Sequence, residues 1–328
     1  LTTILQRCVD FIRDIPETDM SDAEKRCLKL SEKIRQANED VEEDRAWVVD
    51  VEGKKYKGNY TKIIKLRPIY VGNFLKNFVW NRADKRIIST ATMRQRGNPD
   101  IWIKQMGLDP EETKVINVGM TFPPENRPLV KKHMVGSMSG GGIDDMWDDV
   151  LIELNNIVEK NVGEKGICHT VSYDRASRVE ETTNPEDHPY IHNNVYVHDE
   201  DEDAEVAIEQ WQDSDLDLIL SPSMMEGIDL AGSKGRYNIL MKVPYPPRNS
   251  WTEYLQDETD YGWLSYYDRA AVRVAQAYGR TTRSKEDKSN FYVLDEDYEK
   301  LKKKATLPRW VLQAENYPEV SSRSLFDY

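Results

Sequence analysis

The densest group of chemically capable residues is QAYGRTTRSKED at 276–287, at the end of a predicted amphipathic helix and ahead of a predicted strand. Arg280 and Arg283 lie three residues apart, a spacing that puts two guanidinium forks on one face of a turn. Paired forks suit a polyphosphate. An arginine presented across a cleft stabilises a phosphoryl group in transfer, an effect of roughly 10³ to 10⁵ in rate. The same pair also fits a helix C-terminus that carries cations because the macrodipole favours them. A second group, SPSMMEGIDLAGSKGR at 221–236, follows the apolar run LDLIL. Loops after parallel strands are where α/β proteins bind ligands. Gly227 permits close backbone approach, and Glu226 and Asp229 offer carboxylates to a ribose hydroxyl, a metal-bound water or an arginine, or simply make a turn. ISTATM (88–93) and HTVSYDRA (169–176) set hydroxyls at strand ends. There His169, Thr170, Ser172 and Tyr173 suit phosphate and base contacts to a single strand, or a helix cap.

These groups need elements to hold them. Apolar residues recur at helical spacing from Thr3 to about Val41, interrupted by Pro16 and the candidate cap Ser21, which predicts two helices. AWVVDVE (46–52) and TKIIKLRP (61–68) read as strands of a hairpin or strands joined by a loop. A helix is expected over 72–80, and a short buried strand over KRIIST (85–90). The glycine run SMSGGG (137–142) opens a helix over 144–160. Strand-like runs then alternate with helices: 165–172, 194–198, 216–222, 237–244 and 290–295, with a long helix near 266–280. That alternation predicts an α/β fold whose parallel sheet is covered by helices on both faces.

At 328 residues the chain has room for about two domains and a core that needs no staple. Its net charge of −13 argues against a uniformly basic, nucleic-acid-coating surface and leaves a local basic groove open. The 3 cysteines (Cys8, Cys27 and Cys168) are widely separated, which argues against a disulfide framework and for a reducing compartment. No apolar run approaches the ~18 residues of a membrane span and no signal-peptide layout opens the chain, so the expectation is a cytoplasmic protein. HPYIH (188–192) is a poor metal site, because Pro189 disfavours the helix that would align its imidazoles. Trp251, Tyr254, Tyr261 and Trp263 are candidates for stacking on a base, or for packing. The lysines at 54, 55, 57 and 62 read as a solvated hairpin.

Taken together and in this order, the motifs resemble the C-terminal half of a superfamily 2 helicase of the XPD/DinG type. ISTATM resembles motif III, and TFPPENR (121–127) resembles the segment that opens the second RecA-like domain. GICHTVSYDRA (166–176) resembles motif IV; MEGIDL (225–230), with GR and VPYPP (243–247) after it, resembles motif V and its sequel; QAYGRTTR (276–283) resembles motif VI. LPRW (307–310) is similar to the family's ending, so the likeness runs from about Ile63 to Trp310. The resemblance implies an ATP-driven motor that moves 5′ to 3′ on single-stranded DNA, in DNA repair or replication. Carried over, Arg280 and Arg283 reach the nucleotide's phosphates and Gln276 senses the γ-phosphate and its water. Glu226, Gly227, Asp229 and Gly279 belong to the ATP site, with Gly227 and Asp229 linking it to the DNA track. Thr90, Ala91 and Thr92 couple hydrolysis to movement, and Thr170, Ser172 and Tyr173 contact the nucleic acid.

No G-x-x-x-x-G-K-S/T occurs, and no Asp-Glu box follows an apolar strand. ATP and Mg²⁺ are therefore expected to be held mainly by an N-terminal RecA-like half of the same protein, and any iron–sulfur cluster to lie there too, since Cys8 and Cys27 alone cannot hold one. The acidic run at 199–205 is a solvated loop or a first helical turn. The expected parts are 1–45, the end of an arch-like helical insertion; 46–112, the returning strands of the first RecA-like domain with motif III; and 113–328, a second RecA-like domain with motifs IV to VI. The chain starts at Leu1 in what reads as mid-helix, which suggests a piece of a longer protein, inactive alone. The alternative is an ATPase-inactive accessory that binds single-stranded DNA or a helicase partner. No metal site and no membrane contact are expected.

Overall fold

The computed structural model describes residues 21–22, 25–26, 28–29, 31, 35, 47–56, 59–90, 92, 99–225, 227–305 and 307–320, with the backbone alone for 49–56, 59–64 and 66. Most of the helical segment expected over 1–45 lies outside this set, as do Cys8, Cys27, Ala91 and Glu226; residues 22, 25, 26, 28, 29, 31 and 35 are helical. In chain order the elements are β1 (Trp47–Tyr56), β2 (Asn59–Pro68), α1 (Gly72–Phe78), α2 (Asp100–Gln105), β3 (Leu129–Val130), α3 (Gly142–Asp145), α4 (Trp147–Lys160), β4 (Gly166–His169), α5 (Tyr173–Thr182), β5 (Val195–Val197), α6 (Ala204–Asp213), β6 (Leu218–Ser221), β7 (Tyr237–Leu240), α7 (Ser250–Glu258), α8 (Gly262–Tyr278), β8 (Asn290–Val293), α9 (Asp297–Lys304) and α10 (Arg309–Ala314).

The chain forms two compact units. One takes residues 1–87, 103–113 and 247–262. Its β1 and β2 pair antiparallel from Trp47 opposite Pro68 to Tyr56 opposite Asn59, the expected hairpin. Trp47 meets Phe74 of α1 edge to face, and Trp251 of α7 donates its indole N–H to Pro68 O at 3.4 Å. Gly107, at φ +71, sits where a Cβ would come within 2.4 Å of Gly72 O, so only glycine allows that approach.

The other unit takes 88–102, 114–246 and 263–328 and contains, among the described residues, a six-stranded sheet of order β3-β8-β7-β4-β6-β5. All its pairings are parallel. Strand side chains alternate between faces, and β4, β6, β7 and β8 are buried throughout, so both faces are covered. Cys168, Leu218, Leu220, Tyr237, Ile239 and Tyr292 pack with α4 and α5 on one side. Leu240, Phe291 and Val293 pack with α8 and α10 on the other, where Ile167 and Ile219 meet Trp211 of α6. In α4, Val150, Leu151, Leu154, Ile157 and Val158 make the apolar stripe. Each such fully buried aliphatic side chain contributes about 1.5–3 kcal/mol.

Two sequence expectations are corrected. Residues 85–90 form no strand and are exposed, Ile87 at 97%. A strand needs a hydrogen-bonded neighbour, and among the described strands none pairs with this segment. The helix expected over 144–160 is split at Met146 (φ −112, ψ 15). The bend falls between two residues that share a partner: Asp144 pairs with Arg178, whose guanidinium lies 4.2 Å from the centre of the Trp147 ring. Elements not predicted were β3, α2, α7, α9 and α10.

Candidate functional site

The long helix α8 ends at Tyr278, and the residues that follow carry the arginine pair into a loop rather than a helical turn. That loop folds on itself. Asp287 accepts the N–H groups of Arg283 (2.7 Å) and Ser284 (2.8 Å), Ser284 Oγ accepts those of Glu286 and Asp287, and Ser289 bonds the buried Thr281 at 2.6 Å. The helix end is clamped from behind. Arg127 of the FPPENR segment is buried and donates to Tyr278 Oη (3.0 Å) and Trp310 O (2.8 Å). Its guanidinium stands 5.7 and 5.6 Å from the centroids of the Tyr278 and Trp310 rings, which stack on each other at 5.4 Å. Three motif segments far apart in the chain thus meet at one point.

Arg280 donates through Nε to Met225 O and through Nη1 to Ile228 O, both at 2.7 Å. Arg283 donates through Nη2 to the same Ile228 O (3.1 Å) and through Nε to Asp229 Oδ1 (3.0 Å). Two forks therefore converge on one carbonyl, and Asp229, 68% exposed, supplies a counter-charge at the solvent edge. Gly227 lies at φ +83, and a Cβ there would meet no atom within 4 Å, so its positive φ is what calls for glycine. Gly279 N–H bonds Ala275 O and Gln276 O as the helix closes. Gln276 stands one turn before Arg280, its Oε1 buried without a hydrogen-bond partner.

The loop after β6 starts at the carboxyl edge of the sheet but delivers its end elsewhere. Leu230 N–H donates to Arg280 O, and Asn238, at the start of β7, donates to Ala277 O at 2.6 Å. The arginines accordingly sit by the amino edge, whereas the motif after β4 stays at the carboxyl edge. There Ser172 is the N-cap of α5, accepting from Arg175 N (3.4 Å) and Arg175 Nη1 (3.0 Å). Thr170 is fully buried, and its hydroxyl donates to Ser172 O at 3.0 Å, which removes its side chain from the surface set. Tyr173 lies edge to face on His198 at 5.6 Å.

Between Thr170 and Ser172, Val171 has φ 68, a strained conformation for a β-branched residue costing about 1–3 kcal/mol and concentrated at functional sites. Sequence reading missed it, as it missed Arg175, since neither has a type or spacing that announces a role. His169 is fully buried, and its pKa is pushed down to about 3, first by burial and then by Arg280, so the ring is neutral.

Thr90 is exposed, and Thr92 N–H donates to its Oγ1 at 3.2 Å; none of the described contacts joins either to the arginine pair. Ala91 and Glu226 lie outside the described residues. Trp263, 53% exposed, joins Tyr245, Tyr266 and Tyr267 in a ring cluster. Trp251 instead packs within the other unit. Of the acidic run, Asp203 caps α6 and the rest is turn and first helical turn. His188 and His192 lie in turns, and among the described residues no group of three metal-ligating side chains exists. No described helix is long and apolar enough to cross a membrane.

Residues 154–314 match the family model described as helicase C-terminal domain. Among solved structures the chain is similar to one described as XPD helicase, at 15% identity and a TM-score of 0.54 over 97% of this chain and 61% of that one. It is also similar to one described as XPD apo, at 16% identity and a TM-score of 0.53 over 97% and 68%. The chain thus spans less than two thirds of the length of the first of these structures, and likeness at such identity bears on fold alone. No curated protein matches the chain.

Proposed function

Residues 154–314 are a helicase C-terminal domain of the XPD/DinG type, and from that premise we propose that the chain is the C-terminal half of an ATP-dependent DNA helicase, translocating 5′ to 3′ on single-stranded DNA in repair or replication. The observation that carries this reading is the convergence of Arg280 and Arg283 on the Ile228 carbonyl beside Asp229. Two cations gathered at one loop, with a single exposed carboxylate between them and solvent, fit the phosphates of a nucleotide. A phosphate can draw both forks at once without unfolding the helix that carries them.

ATP with Mg²⁺ supplies the phosphoryl chemistry, and both are held mainly by a RecA-like half that bears a P-loop, since this sequence has none. From this side Arg280 and Arg283 stabilise charge, Gln276 faces the γ-phosphate, and Gly227, Asp229 and Gly279 shape the approach. At the opposite edge the helix-capping Ser172 and the ring of Tyr173 meet the nucleic acid, with Thr90 and Thr92 relaying between the two tasks.

The test is single-stranded-DNA-stimulated ATP hydrolysis by the full-length polypeptide and its Arg280→Ala variant. A loss of about 10³-fold or more in turnover is expected, with DNA affinity within a few-fold. Unchanged turnover would remove Arg280 from the nucleotide site.

A further inference from the structure

Buried polar groups are nearly always hydrogen-bonded. Three residues that break this rule belong to one neighbourhood: His169 at both ring nitrogens, Asn238 at Oδ1 and Gln276 at Oε1. His169 closes β4 and is fully buried. The register sets Ile167 beside Asn238 and His169 beside Leu240, so these four side chains share the sheet face that packs against α8 and α6. Asn238 Nδ2 donates to Ala277 O at 2.6 Å, in the last turn of α8. That bond fixes the amide's orientation, because the reversed amide would set two oxygens against each other. Asn238 Oδ1 is left within the field of the imidazole, although neither ring nitrogen reaches hydrogen-bonding geometry. The Arg280 guanidinium acts on the same ring.

We infer that His169 and Asn238 are positioning residues for the arginine end of α8: the imidazole orients the Asn238 amide, the amide holds the Ala277 carbonyl, and the held turn presents Gln276 and Arg280. The ring must be neutral for this. A neutral imidazole offers an N–H to Oδ1 without placing a second cation beside Arg280. A phenyl ring in its place would pack equally well and leave no ring nitrogens unpaired, so the histidine is a departure from the best-packed choice, of the kind found where position matters more than stability. The inference deepens the nucleotide reading and rests on it only for what Arg280 meets.

The experiment is hydrogen exchange by NMR on the 328-residue chain and on three variants. His169→Phe keeps the volume and removes both nitrogens, His169→Gln retains a donor, and Asn238→Leu removes the amide. For His169→Phe the expected unfolding midpoint at neutral pH equals or exceeds that of the unaltered chain. Exchange of Gly279 N–H and of Arg280 Nε–H rises about tenfold or more through local opening, while amides of α4 stay unchanged. Asn238→Leu behaves the same way, and His169→Gln regains most of the protection. Unchanged exchange at Gly279 and Arg280 in Asn238→Leu would overturn the inference, and so would a loss of protection spread evenly through α4. No nucleotide enters this measurement. An ATPase indifferent to Arg280→Ala would sink the helicase reading and leave the exchange result standing.

Discussion

Replacing Arg127 by methionine should cost the second unit about 3 kcal/mol, and the figure can be worked from its contacts. The side chain is 2% exposed and is held at its tip. Nη1 donates at 3.0 Å to Tyr278 Oη and at 2.8 Å to Trp310 O, while the donations to Phe122 O, at 3.3 and 3.4 Å, are too long to count for much. Hydrogen bonds from a charged donor are worth about 1.5–3 kcal/mol each. The cation over two stacked rings adds about 0.5–2 kcal/mol. Desolvation of the guanidinium offsets part of that sum, which leaves about 3 kcal/mol. Methionine preserves the apolar stem and strands the Trp310 carbonyl. For a domain of this size, each kcal/mol moves Tm by about 2–4 °C, so a fall of about 6–12 °C is expected. Lysine keeps the charge without the fork and should lose about half as much. Thermal unfolding followed by near-ultraviolet circular dichroism is the assay, since Tyr278 and Trp310 report directly. A Tm for Arg127→Met within about 2 °C of the unaltered chain would refute the reasoning.

Ser172→Ala should cost about 1 kcal/mol through loss of the α5 cap, read as a lower urea midpoint with an unchanged slope. An unaltered midpoint would mean that the cap is not stabilising. Tyr173→Ala in the full-length polypeptide should weaken single-stranded DNA binding by about 1–3 kcal/mol if the ring stacks on a base; titration with a fluorescent oligonucleotide would show it, and equal affinity would remove Tyr173 from the track. For pH, His169 is held below its ordinary value of 6.5, at about 3, so the unfolded chain takes up the proton first. The stability this group contributes is present above about pH 6.5 and is lost as pH falls, by up to about 1.4 kcal/mol per pH unit and about 2 kcal/mol by pH 5. The difference in unfolding free energy between the unaltered chain and His169→Phe should follow that course, and parallel curves would contradict it.

Much of this arrangement was legible in the sequence, for physical reasons that also mark where reading stopped. Runs such as LDLIL and YNILM are largely apolar because both faces of a parallel strand are buried, and they pointed to the sheet directly. The arginine pair was visible from spacing, and so was a helix cap at Ser172. Strand 85–90 failed because an apolar run predicts burial, whereas a ladder needs a partner that a local pattern cannot name. The placement of the arginines by the amino edge was not readable either. It depends on the 222–230 loop crossing from one edge of the sheet to the other, which follows from Leu230 and Asn238 docking on the end of α8. Val171 and Arg127 stayed hidden for the same kind of reason: backbone strain and a ring sandwich are products of tertiary packing.

The central claim is that Arg280 and Arg283 complete a nucleotide site whose phosphate cradle belongs to another RecA-like half. The most direct measurement is single-stranded-DNA-stimulated ATP hydrolysis by the 328-residue chain alone and by the full-length polypeptide its gene encodes. Turnover by the full-length protein, with none by the chain alone, is the predicted result. Turnover by the chain alone would contradict the claim by showing that it holds a phosphate cradle of its own; turnover by neither would contradict it in favour of an accessory that binds single-stranded DNA without hydrolysing ATP.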